Sequence, residues 1–82
     1  MNNKILLNIL IPEISTSYDV FIPINITVSE LNTLLKQSIG ELAEYNFDNK
    51  ARIYYQDNGN EIDASLIIKN TNLRNGSKII LL

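Results

Sequence analysis

Tyr18-Asp19-Val20-Phe21-Ile22-Pro23-Ile24-Asn25-Ile26-Thr27-Val28-Ser29-Glu30-Leu31 carries two hydrophobic periods in succession, and the change from one to the other decides the fold. In its first half apolar residues alternate, with Tyr18, Val20 and Ile22 on one side and Asp19 and Phe21 on the other, as in a half-buried strand. Pro23 removes a backbone donor where that strand ends, which suits the edge of a sheet. The second half opens a helix. Thr27 is placed as the N-cap, Glu30 completes a capping box three residues on, and Ile26 is set to staple against Leu31. The apolar positions that follow, Val28, Leu31, Leu34, Leu35, Ile39 and Leu42, recur at spacings of three and four. They predict a helix lying on a sheet, with Asn32, Lys36, Gln37 and Glu41 in water and an end near Glu44.

Before this stretch, Lys4-Ile-Leu-Leu-Asn-Ile-Leu-Ile11 alternates Ile5, Leu7, Ile9 and Ile11 against Lys4, Leu6, Asn8 and Leu10, and Pro12 stops it. With a short turn over 13–17, two antiparallel strands form a hairpin. Beyond the helix, Tyr45 and Phe47 sit in a loop of turn formers, one of them placed to tuck into the core. Ala51 to Gln56 reads as a third strand with Ile53 and Tyr55 inward, and Asn58-Gly59 as a tight turn. A short segment around Ile62 follows, then a buried crossover with a helical turn over 66–73, then a last strand, Lys78-Ile79-Ile80-Leu81-Leu82.

The 82 residues, 45% hydrophobic and 20% charged, make one globular domain over 1–82. A chain of this size hides roughly 60–65% of its unfolded surface, so most of its apolar residues are committed to folding. Without Cys or His it cannot build a disulfide, a zinc site of the usual kind or a nucleophile paired to imidazole. Lys4, Lys36, Lys50, Arg52, Lys69, Arg74 and Lys78 are scattered along a chain of net charge −2, which leaves no stripe for nucleic acid. No run approaches the ~18 apolar residues of a membrane span, and no cleavage site follows Met1-Asn2-Asn3-Lys4. A cytoplasmic protein with no membrane insertion is expected, and the lack of Cys accords with a reducing compartment.

The motifs that could carry chemistry have simpler readings. Asn25-Ile26-Thr27 and Asn75-Gly76-Ser77 match the glycosylation sequon but coincide with a helix cap and a turn. Asp57, Glu61 and Asp63 lack the spacing of a calcium loop. Glu41, Glu44 and Asp48 have no desolvated cleft to split their pKa values, and Gly40, Gly59 and Gly76 are too dispersed for a phosphate loop. The expectation is a protein that is not an enzyme and holds no cofactor or metal.

Hairpin, capped helix, strand, turn, crossover and final strand, in that order, resemble the ubiquitin-like β-grasp fold along nearly the whole chain. The resemblance implies an α+β architecture: one helix across a mixed sheet of four to five strands, in the order 2-1-5-3. Within that group, Tyr18 to Pro23 leading into Thr27 to Leu31, together with Asn72-Leu73-Arg74-Asn75-Gly76-Ser77-Lys78-Ile79-Ile80-Leu81-Leu82, look most like the small YukD/EsaB proteins of bacterial type VII secretion. This likeness implies an accessory component that docks on a cytosolic part of the secretion machinery, such as its ATPase or a membrane subunit. Related domains occur fused to membrane subunits of such systems. Covalent modifiers and sulfur carriers of this fold end in a flexible Gly-Gly, whereas this sequence stops at Leu81-Leu82. A modifier or carrier is therefore expected only of a truncated chain.

One helix covers one face of such a sheet. Alternation places Leu6, Leu10, Phe21, Arg52, Tyr54, Lys78, Ile80 and Leu82 on the other. With the order 2-1-5-3, Leu6, Ile80, Leu82 and Tyr54 are expected side by side, with Arg52 and Lys78 at their rim, forming a protein-docking surface on a monomer or weak homodimer. The alternatives are ordinary strand formers with scattered exposure, or a self-assembling structural protein that uses the same face.

Overall fold

The computed structural model describes residues 3–82; Met1-Asn2, the start of the segment read as carrying no leader, lies outside them. Four strands and one helix form: β1 (Lys4–Ile11), β2 (Thr16–Pro23), α1 (Val28–Ala43), β3 (Ile53–Tyr55) and β4 (Ser77–Leu81). The sheet order is β2-β1-β4-β3, with β1 and β4 parallel at its centre and the outer pairs antiparallel. This is a ubiquitin-like α+β fold. Its neighbours are those of the expected order 2-1-5-3, but among the described residues no fifth strand precedes the last. Glu61 makes a single bridge to Tyr54, because the Asn58-Gly59 turn before it and the turn at Asp63 after it leave no room to extend. In that second turn, Ser65 N–H donates to Asp63 Oδ1 at 2.9 Å.

The capping box is present in both directions. Glu30 N–H donates to Thr27 Oγ1 at 3.1 Å and Thr27 N–H donates to Glu30 Oε1 at 2.8 Å. The helix then lays Val28, Leu31, Leu35 and Ile39 on Leu7, Ile9, Ile11, Ile22, Ile53, Ile79 and Leu81, all buried. Leu34 and Leu42, expected in that stripe, are 41% and 69% exposed. Leu34 stands about 100° round the helix from Leu35, off the sheet, and Leu42 lies beyond Ile39, the last buried residue of the helix.

The chain leaves α1 by doubling back: Glu44 takes a left-handed conformation and Tyr45 N–H donates to Gly40 O at 2.9 Å. A Cβ on Gly40 would stand 3.0 Å from Tyr45 O, so the glycine that weakens the helix also admits the return. Phe47 packs on the core and meets Tyr45 edge-on at 4.8 Å. A 3-10 turn over Ile68–Asn70 holds the crossover. Buried Thr71 donates there to Ile68 O at 2.6 Å and accepts from Leu73 N–H at 3.1 Å.

Asn75-Gly76, read as a turn, also extends the central pairing. Asn75 Oδ1 accepts from Leu6 N–H at 2.8 Å, and Gly76 N–H donates to Leu6 O at 2.7 Å. The side chain thus supplies the acceptor that β4, beginning at Ser77, cannot reach. Asn75→Ala should remove about 1 kcal/mol of stability, measured as a lower urea midpoint at unchanged slope.

Candidate protein-interaction surface

The face of the sheet turned away from α1 is ordered by two registers. In the parallel pair, Leu10 lies opposite Ile80 and Asn8 opposite Lys78. In the antiparallel pair, Ile80 lies opposite Tyr54. Leu10, Ile80 and Tyr54 therefore form one row across three strands, all half-buried by one another. Leu82 lies two residues beyond Ile80 on the same face, beside the row, 53% exposed, and its backbone exchanges hydrogen bonds with Arg52 at 2.9 and 3.0 Å.

The expected place of Leu6 in this row is not what the register gives. Leu6 pairs with Phe21 on β2 and with the Asn75-Gly76 turn, four residues and about 13 Å along β1 from Leu10. Between them runs a polar row, Asp19, Asn8 and Lys78, in which Asn8 Nδ2 donates to Asp19 Oδ1 at 2.9 Å. Ile80, Leu82 and Tyr54 come together as expected, Leu10 takes the position assigned to Leu6, and Leu6 belongs to a second patch with Phe21, which is 67% exposed. Alternation assigned all of these residues to the outer face. Which of them touch depends on the parallel register, for which no local sequence signal exists.

The two rim cations differ. Arg52 Nε lies 3.9 Å from Glu61 Oε2, both side chains about half exposed, a surface pair that adds little to stability. Lys78 is exposed in the polar row and makes no ion pair among the described residues. A partner meeting this face finds an apolar strip with one cation free beside it, which favours a carboxylate at the partner's rim.

Of the acidic groups weighed for chemistry, Asp48 Oδ1 accepts from Lys50 N–H at 2.8 Å and Glu61 faces Arg52. Asp63 is held below the usual carboxylate range by the Ser65 backbone N–H and then by its hydroxyl. Tyr45 donates to Glu13 Oε1 at 2.6 Å, which raises its phenol above the ordinary 10.0, with smaller contributions from burial and from the Glu13 and Asp48 charges. No helix of the described residues is long and apolar enough to cross a membrane.

No protein-family model and no curated protein matches the chain by sequence. Solved structures match by shape. One described as molecular mimicry of SUMO that promotes DNA repair superposes with a TM-score of 0.76 at 17% identity, over 100% of this chain and 94% of that one. A ubiquitin-like protein from Trypanosoma brucei gives 0.73 at 16%, over 100% and 96%. A chain of the MycP5-free ESX-5 inner membrane complex gives 0.73 at 15%, over 98% of this chain but 21% of that one. At these identities the likeness is one of fold, and the fold is that of the ubiquitin-like proteins.

Proposed function

We propose that this chain is a noncatalytic docking domain of the YukD/EsaB kind, which works in the cytoplasm by binding a cytosolic part of a type VII secretion apparatus. The observation that carries the docking is the row Leu10–Ile80–Tyr54, flanked by Leu82 beside Ile80, on the sheet face that α1 leaves uncovered. Such a strip, with an aromatic at one end and cations at its edge, has the make-up of an interface core and rim. The machine is supported by the segments Tyr18 to Leu31 and Asn72 to Leu82. The presence of the same fold within a longer chain of an inner membrane complex supports it too. Tyr54 supplies the anchor and Lys78 the orienting charge.

Affinity purification from the native host, wild type beside Tyr54→Lys, tests both halves of this reading. Wild type should bring down secretion components and Tyr54→Lys should not. Recovery by both proteins would move the surface elsewhere, and an activating enzyme recovered in place of secretion components would refute the machine.

A further inference from the structure

The two edges of the sheet are finished differently. Along β3 the neighbouring loop satisfies the backbone: Tyr55 N–H donates to Asn60 O, and Ile62 N–H donates to Ile53 O, both at 2.9 Å. Along β2 nothing comparable exists. Ile24 N–H donates to Asn3 O at 2.9 Å, and the one-for-one register continues through Ile22–Ile5, Val20–Leu7 and Tyr18–Ile9. Alternation then turns the backbone groups of Tyr18, Val20 and Ile22 toward β1 and those of Ser17, Asp19 and Phe21 outward. No described residue pairs with the outward set. Pro23 falls in that set as well, so its missing donor leaves the β1 ladder intact. Apart from Pro23 at its end, the edge also lacks the usual protections. It has no Lys and no bulge, a single charge at Asp19, and a largely exposed Phe21.

We propose that β2 pairs antiparallel with β2 of a second copy of this chain, about a two-fold axis through Val20, so that the two sheets become one. A two-fold axis must set outward residues opposite outward residues, which leaves few registers. Centred on Asp19, it would oppose two carboxylates directly. Centred on Tyr18, it would set Phe21 against Ser15, whose φ of 51° takes it out of the strand. Centred on Val20, Asp19 faces Phe21, and Ser17 donates to the carbonyl of Pro23. On the helix side Val20 then meets Val20, and Tyr18 lies opposite Ile22, which its own core already buries. On the other side the two Phe21 rings lie diagonally within reach of each other. The helix side of the junction is apolar, the other side sets Asp19 beside Phe21, and no like charges directly oppose. A single strand pair buries less than the ~1,600 Å² of a standard interface, so association belongs to high protein concentration. The contact is separate from the Leu10–Ile80–Tyr54 row.

Sedimentation equilibrium on the purified chain, up to about 1 mM, should show mass rising from 9.3 kDa toward the dimer. Asp19→Pro removes an N–H that points only outward. It should weaken association about tenfold or more with the circular dichroism spectrum kept, whereas Tyr54→Lys should leave association unchanged. Because the chain has no cysteine, single replacements read the register directly. Val20→Cys places two Cα atoms about 4.5 Å apart on the axis, within disulfide reach, and should cross-link on mild oxidation, while Tyr18→Cys should not. A chain that stays monomeric throughout, as it would if the edge served a foreign strand, overturns the proposal. Cross-linking at Tyr18 as fast as at Val20 also overturns it, as does loss of the dimer in Tyr54→Lys.

Discussion

Leu35→Ala should lower the unfolding free energy by about 2–5 kcal/mol, read from urea denaturation. Leu35 is fully buried at the middle of α1, between Leu31 and Ile39 and against the inner face of the sheet. Truncating it removes apolar area from the only layer that joins helix to sheet, and the hole is bounded by strands whose ladders resist collapse. A domain of this size has roughly 4–12 kcal/mol in hand, so the loss reaches from about a sixth of its stability to all of it. Leu42→Ala is the matched comparison: same residue type, same helix, but 69% exposed, and expected to change stability by less than about 0.5 kcal/mol. Equal losses at the two positions would refute the packing described for α1.

The second large effect concerns the docking face and follows from the corrected register. Leu10→Lys should weaken binding of the partner by about thirtyfold or more, the loss of one apolar contact of the row worth about 2 kcal/mol. Leu6→Lys should leave binding within about threefold. The two positions share a strand, a face and a residue type, and alternation cannot tell them apart. Only the pairing of Leu10 with Ile80, and of Leu6 with Phe21 and the Asn75 turn, separates them. Titration calorimetry with the recovered partner measures both, with thermal melts to confirm that each variant folds. If Leu6→Lys were the damaging change, the partner would sit over the Leu6–Phe21 patch.

What could be read in the sequence was local in origin. Thr27 and Glu30 lie one helical turn apart and satisfy each other wherever the helix goes, and Asn58-Gly59 turns because of its own backbone freedom, with Gly59 at φ 75°. Alternation in β1 and β4 gave the inner face correctly, since a strand's two sides are fixed by its own pleat. The errors share a different origin. Leu34 and Leu42 have the spacing of core residues, but whether a helical position is covered depends on where the sheet beneath it stops. Leu6 and Leu10 are equivalent until β4 chooses its register. The segment around Ile62 has the composition of a strand, yet the turns at Asn58-Gly59 and Asp63 confine it to one bridge.

The strand at the centre of the sheet, β4, is also the last to be synthesised. Leu7 and Ser77, paired there, stand near opposite ends of the described chain. A ribosome can release the β1–β2 hairpin and the capped helix early, but the sheet has a gap in its middle until Leu81 emerges. Until then the inner faces of β1 and α1 have only each other for cover. Such long-range closure slows folding relative to a helical protein of equal length. The domain therefore cannot close before Leu81 has been made, and removal of β4 would take away its interior and not its margin.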